Sequence, residues 1–197
     1  MAKPEIYFIT DIETDGPIPA EHSMLSFASV AMNEAGEFLG EFSINLETLP
    51  NACAHPKTKL FWQSEPEAWA ACRVDTVAPE VAMNGFSKWV HTVVKNHSAP
   101  VFVGYPAGFD FTFIFWYLQK FTGASPFSWS ALDMKTFAMA LTGLPFKQAI
   151  KPRLPAEWLP DDLPHTHIAL DDAREQAQIF RAMLLEWQKQ QSESEIQ

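Results

Sequence analysis

The sequence predicts an α/β fold in which a mixed sheet is covered by helices, and three observations carry that expectation. Three strand-like segments open the chain one after another. A strand, helix, strand, helix alternation follows them, and the last helix-forming segment is apolar along one face. Five strands and a single domain over residues 1–190 result, with residues 191–197 as a polar C-terminal tail.

Residues 5–10, Glu-Ile-Tyr-Phe-Ile-Thr, are dominated by β-branched and aromatic side chains and end at polar punctuation, the pattern of a buried strand. Residues 24–32 and 37–46 read as two more strands, and Asn33-Glu34-Ala35-Gly36 between them makes a hairpin turn. Residues 50–60 contain Pro50 and Pro56 and read as a loop. Residues 64–72 read as a helix capped by Ser64, with Glu67 completing a capping box. A helix over 79–96 starts at Pro79, a residue suited to a first helical turn, and carries the stripe Val81, Phe86, Trp89, Val90 and Val93. A short buried strand at 101–104, an apolar helix at 109–121, a fifth strand at 130–133 and a helix at 134–142 follow. Residues 145–165 hold Pro145, Pro152, Pro155, Pro160 and Pro164, a density that predicts a long irregular segment of the kind that is often functional. From Ala169 onward, Leu170, Ala173, Ala177, Phe180, Leu184 and Trp187 recur at three- and four-residue steps, so the last helix packs one face on the sheet. Beyond Gln188 the chain is polar and reads as a frayed tail.

The 197 residues are 47% hydrophobic and 19% charged, a globular rather than disordered balance. No apolar run approaches the ~20 residues of a membrane helix, and the N-terminus lacks the features of a secretory signal. Cys53 and Cys72 make neither a disulfide framework nor a zinc site and read as reduced thiols of a cytoplasmic protein. The net charge of −10 argues against coating duplex DNA or long RNA, because such binding rests on neutralising many phosphates. It leaves room for a site that grips a few nucleotides at one end, with bound divalent cations supplying positive charge.

Chemistry concentrates in five residues. Asp11 and Glu13 stand two apart just past the first strand, so both side chains point to one face of an extended segment. Two carboxylates there repel unless a cation lies between them, and hard ions such as Mg²⁺ or Mn²⁺ take oxygen ligands. Asp110 opens the apolar helix at 109–121, where a plain reading makes it an acid favouring the helix dipole. His167 precedes the last helix, on a shoulder that can swing over a metal site, and Asp172 lies in that helix's first turn. Asp171 is rotated by about 100° from Asp172 and is set aside, as is His165. Singly, each of the five has a bland explanation as a strand-end or helix-start residue.

As a set they resemble the DEDDh branch of the 3′–5′ exonucleases, which have an RNase H-like fold. The motif Asp-x-Glu-Thr-x-Gly is matched by Asp11-Ile12-Glu13-Thr14-Asp15-Gly16, the second motif by Phe109-Asp110, and the third by His167, Asp172 and Ala173, all in the family's order. Ile18-Pro19, Ser23-Met24-Leu25-Ser26-Phe27, Phe61-Trp62-Gln63 and Pro106-Ala107-Gly108 resemble a bacterial subgroup of small exoribonucleases. The chain departs from many members by carrying Tyr105-Pro106 where they place an asparagine, a position concerned with the substrate backbone.

The resemblance implies an RNase H-like five-stranded mixed sheet flanked by helices. It also implies two Mg²⁺ or Mn²⁺ ions held by Asp11, Glu13, Asp110 and Asp172, with His167 as general base. The expected reaction releases 5′-mononucleotides from the 3′ end of single-stranded nucleic acid, RNA favoured. The terminal base is expected against Met24, Leu25, Phe61 and Trp62, where Trp62 reads equally well as a core anchor. A DNA-directed proofreading or repair exonuclease and a catalytically silent nucleic-acid-binding domain are the rival readings. Some members are dimers, and seven Trp and 16 Phe leave room for an apolar homodimer interface.

Overall fold

β-Branched and aromatic density places the first strand at the centre of the sheet, where both of its faces are covered. The computed structural model describes residues 3–95, 98–160 and 166–194. Its strands are β1 (Glu5–Thr14), β2 (Met24–Asn33), β3 (Phe38–Asn45), β4 (Ala99–Gly104) and β5 (Leu132–Asp133). They form one five-stranded sheet in the order β3-β2-β1-β4-β5. β1, β2 and β3 make an antiparallel meander, whereas β1, β4 and β5 run parallel, so the sheet is mixed as expected. The β2–β3 turn is the expected one: Asn33 Oδ1 accepts the N–H groups of Ala35 and Glu37, and Gly36 supplies the left-handed residue at φ +76°.

Six helices cover the sheet among the described residues: α1 (Pro56–Ser64), α2 (Pro66–Ala71), α3 (Pro79–Val94), α4 (Ala107–Thr122), α5 (Met134–Thr142) and α6 (Ala169–Ser194). Alternation along β1 divides the core. Ile6, Phe8 and Ile12 pack with residues of α3 and α4 on one side, while Tyr7 and Ile9 pack with α5 and α6 on the other. Asp11 and Glu13 continue the Tyr7–Ile9 series and therefore emerge on the α6 side.

Several expectations need correction. Asp11 and Glu13 lie within β1 rather than past it, because β2 goes on pairing through Ser26 and, after a register shift, Met24. Residues 50–60 are not all loop, since Pro56 begins α1 and its fixed φ suits a first helical position. Ser64 does not cap a helix: it ends α1, and its hydroxyl donates to the Phe61 carbonyl. The break falls at Glu65, whose successor Pro66 disfavours a helical conformation and begins α2. The irregular stretch from 145 contains three single 3₁₀ turns, at Phe146–Gln148, Lys151–Arg153 and Ala156–Trp158. α6 does not fray after Gln188 but runs to Ser194, so the expected boundary at residue 190 falls inside a helix. The expected helix end at Asn96, together with His165 and the tail beyond residue 194, lies outside the described residues. No helix among the described residues is long and apolar enough to cross a membrane.

Candidate active site

Three elements from distant parts of the chain bring the acidic residues together. β1 presents Asp11 and Glu13 on its α6-facing side. The parallel neighbour β4 ends at Gly104, and α4 starts three residues later with Asp110 in its first turn. A Cβ on Gly104 would lie 2.9 Å from the Ala107 Cα and 3.0 Å from Asp110 Oδ2, so glycine allows α4 to begin this close to the sheet. The side chain of Asp133 fixes the same corner from the other side, accepting the Ala107 N–H at 2.9 Å. α6 supplies Asp172 from its first turn.

Asp172 organises the entry to α6. Its Oδ1 accepts the Thr166 N–H at 2.9 Å and its Oδ2 accepts the His167 N–H at 3.1 Å. His167 thus sits in a left-handed conformation, φ +57°, with its backbone tied to the neighbouring carboxylate rather than on a loose shoulder. Its ring meets the edge of Phe61 at 4.9 Å between centroids. Glu13, His167 and Asp172 each offer an atom to one point, those atoms lying within 4.8 Å of one another. Asp171 turns elsewhere, accepting from the Thr166 hydroxyl and lying 3.9 Å from Arg174.

The site is electrostatically strained as it stands. Glu13 is pushed up to about 10, first by burial and then by the charges of Asp11, Asp172 and Asp110. Asp11 is also raised, by burial and then by Asp172, with the Gln176 hydrogen bond and Lys151 opposing. Asp110 is raised by burial and then by Asp11, with backbone hydrogen bonds opposing. Its Oδ2 is buried without a hydrogen-bond partner among the described residues. Three buried carboxylates with raised pKa values gathered beside Asp172, one of them with an orphaned oxygen, fit hard divalent cations, which take oxygen ligands.

Sequence reasoning missed the residues that hold these acids. Gln176 lies one helical turn beyond Asp172 and is almost completely buried; its Nε2 donates to Asp11 Oδ1 at 2.6 Å. The i, i+4 step from Asp172 was the available signal. Lys151, from the proline-rich segment, pairs with Glu175 at 2.5 Å beside them. His22 packs against Gly16, where a Cβ would come within 1.9 Å of the imidazole, which explains the glycine of the first motif.

A pocket of about 430 Å³ opens beside Glu13, lined by Gly16, Pro17, Lys57, Phe61, Trp62 and Phe109 among others. Phe61 is therefore placed at the pocket. Trp62 is only 5% exposed and donates its indole N–H to the Thr14 carbonyl at 2.9 Å, so it anchors α1 while its ring edge lines the pocket wall. Met24 and Leu25 depart from expectation: both are 0% exposed and offer no surface to a base. Met24 sits in the main core with its N–H on the Tyr117 hydroxyl, and Leu25 packs under Trp62.

No protein-family model matches the chain. Among solved structures, the nuclease domain of 3′hExo, described as a DEDDh family member bound to rAMP, superimposes with a TM-score of 0.67 at 13% identity, over 93% of this chain and 92% of that one. The E. coli ExoI–ssDNA complex in its zinc-bound form gives a TM-score of 0.55 at 18% identity, over 95% of this chain and 41% of that one. These likenesses show the RNase H-like fold. In sequence, the chain is 32% identical over 177 residues, 90% of each chain, to a protein of Escherichia coli named 3′-5′ DNA exonuclease Cap18. With that extent of shared sequence on the shared fold, the chain belongs to the DEDDh-type 3′–5′ exonucleases.

Proposed function

We propose that the chain removes nucleotides one at a time from the 3′ end of a single strand of DNA, releasing 5′-mononucleotides. The observation that carries this reading is the convergence of Asp11, Glu13, Asp110, Asp172 and His167 beside a pocket of nucleotide size. Asp11, Glu13, Asp110 and Asp172 are assigned as ligands of two Mg²⁺ or Mn²⁺ ions. Such ions, when bound, neutralise phosphate charge and make a water more acidic. The remaining work belongs to the chain. Gln176 orients the Asp11 carboxylate, and the backbone N–H groups of Thr166 and His167 orient that of Asp172. His167 takes the proton of the attacking water, and Phe61 holds its ring edge-on. The pocket wall formed by Phe61, Trp62 and Phe109 receives the terminal base.

The choice of DNA over the RNA expected from the sequence is supported by the relative of 32% identity, whose name assigns it DNA. The acidic composition supports a short or single-ended substrate of either sugar. Two free thiols, Cys53 and Cys72, suit a reducing, cytoplasmic setting. The test is a pair of time courses on DNA and RNA single strands of equal length and sequence. The reading expects DNA to be shortened roughly tenfold faster, a factor that corresponds to about 1.4 kcal/mol of discrimination at the sugar. RNA shortened as fast or faster would return the assignment to RNA.

A further inference from the structure

We propose that the 3₁₀ segment from Lys147 to Arg153 grips phosphates of the strand that leads to the active site, with Lys151 at its inner end and Lys147 and Arg153 farther out. The proposal rests on the exonuclease reading above and names the part of the chain that holds the polyanion. Phosphates are common to DNA and RNA, so the grip does not depend on the choice of sugar.

Charge singles out this segment. Residues 134–156 carry Lys135, Lys147, Lys151 and Arg153 and no Asp or Glu, in a chain of net charge −10. A basic run is ordinarily a solvated face, but this one is fastened to the candidate active site at two points. The Tyr105 hydroxyl donates to the Ala149 carbonyl at 3.2 Å, and Tyr105 lies two residues before α4, the helix that carries Asp110. Lys151 donates to Glu175 at 2.5 Å, and Glu175 stands three residues after Asp172 and next to Gln176 in α6. The segment thus bridges the two helices that deliver Asp110 and Asp172. Lys151 is also near enough to Asp11 for its charge to favour the ionised carboxylate.

Packing turns the cations outward. Ala149 and Leu154 are buried in the core with Trp158, which fixes the backbone on both sides of Lys151. Lys147 and Arg153 are exposed. Gln148 Oε1 accepts an Arg153 N–H at 2.6 Å, and Lys135 lies 4.6 Å from the centre of the Phe146 ring. The acids around the segment are accounted for. Glu175 is paired with Lys151, and the Asp133 carboxylate accepts the N–H groups of Ala107 and Thr136. Exposed Glu157 lies four residues beyond Arg153, and Asp161 and Asp162 fall outside the described residues. Among the described residues neither Lys147 nor Arg153 pairs with a carboxylate, so both charges are available to a phosphate.

The experiment reads the salt dependence of kcat/KM at a fixed low concentration of Mn²⁺. The substrate is a six-nucleotide oligothymidylate or oligouridylate, whichever wild type shortens faster. On a single strand, each phosphate held by a cation contributes about 0.7 to the fall of log kcat/KM with log salt. Wild type is compared with Lys147→Gln, with the pair Lys147→Gln and Arg153→Gln, and with the charge-retaining pair Lys147→Arg and Arg153→Lys. Wild type is expected to fall with salt, the single glutamine variant to be shallower by about 0.7 and the glutamine pair by about 1.4. The loss in kcat/KM at low salt should lie in KM, and the charge-retaining pair should keep the wild-type slope. A wild-type slope near zero, or glutamine variants with the wild-type slope, overturns the grip and leaves the exonuclease reading standing. A charge-retaining pair as impaired as the glutamine pair overturns it in favour of a purely structural segment. If wild type shortens neither DNA nor RNA, it is the exonuclease reading that fails, and the grip with it.

Discussion

Glu13 shows what this site costs the folded chain. Burial and three neighbouring carboxylates raise it from an ordinary 4.5 to about 10, so between those values the folded protein holds a proton that the unfolded chain has released. The folded state binds more protons across that window, and stability therefore falls as pH rises from about 5 to about 10 in the metal-free protein. Asp11 and Asp110, raised by the same causes, push in the same direction. Thermal unfolding in a chelator at several pH values checks this: the melting temperature should fall with rising pH, and Glu13→Gln should make the slope shallower. A melting temperature that rises through the window, or a slope untouched by Glu13→Gln, contradicts the account. Around the acids, Gln176 and the two backbone N–H groups on Asp172 fix which way the carboxylates point, an arrangement that usually tunes metal affinity as much as the ligands themselves.

At the level of elements, the junction between β4 and α4 sets the distance between Asp110 and β1. Gly104→Ala should push α4 outward, because its Cβ would meet backbone at Ala107 as well as the Asp110 carboxylate. Overpacking of this kind costs about 1–3 kcal/mol. Urea unfolding should show a loss in that range together with a drop in nuclease rate, and a variant of unchanged stability and rate would remove the argument for this glycine. The same junction explains what was legible in the sequence. Asp11 and Glu13 could be placed on one face because strand alternation is local, and Asp172 could be separated from Asp171 because helical rotation is local. Gln176 was not legible, because its partner Asp11 is 165 residues away and only the packing of α6 on β1 joins them. α1 was missed because Pro56 reads as loop punctuation when it is a first helical residue. The length of α6 was missed because its end is polar. Arg181 bonds the Gly36 carbonyl at 2.9 Å, and Gln188 bonds the Glu34 carbonyl at 2.6 Å, tying that part of the helix to the β2–β3 turn. Met24 and Leu25, expected against the terminal base, are buried instead, since nothing in their immediate sequence reveals the Tyr117 hydroxyl on the Met24 N–H or the packing of Leu25 with Trp62.

Over the whole molecule, the mixed sheet is what makes one centre from three motifs. β1 lies at its middle with antiparallel β2 on one side and parallel β4 on the other, so the carboxyl ends of β1 and β4 open at the same edge. α4 leaves from that edge and α6 arrives at it, and the four acids meet there. A chain of net charge −10 can accept a nucleic-acid end at such a point if cations occupy the acids. The central claim is cation-dependent removal of nucleotides from the 3′ end. A 5′-labelled single strand of DNA, incubated with Mg²⁺ or Mn²⁺ and in parallel with EDTA, tests it directly. The account predicts a ladder of products shortened stepwise from the 3′ end, with 5′-mononucleotides released, and no shortening in EDTA. Full activity in EDTA, or immediate release of the 5′ label as a mononucleotide, would contradict it.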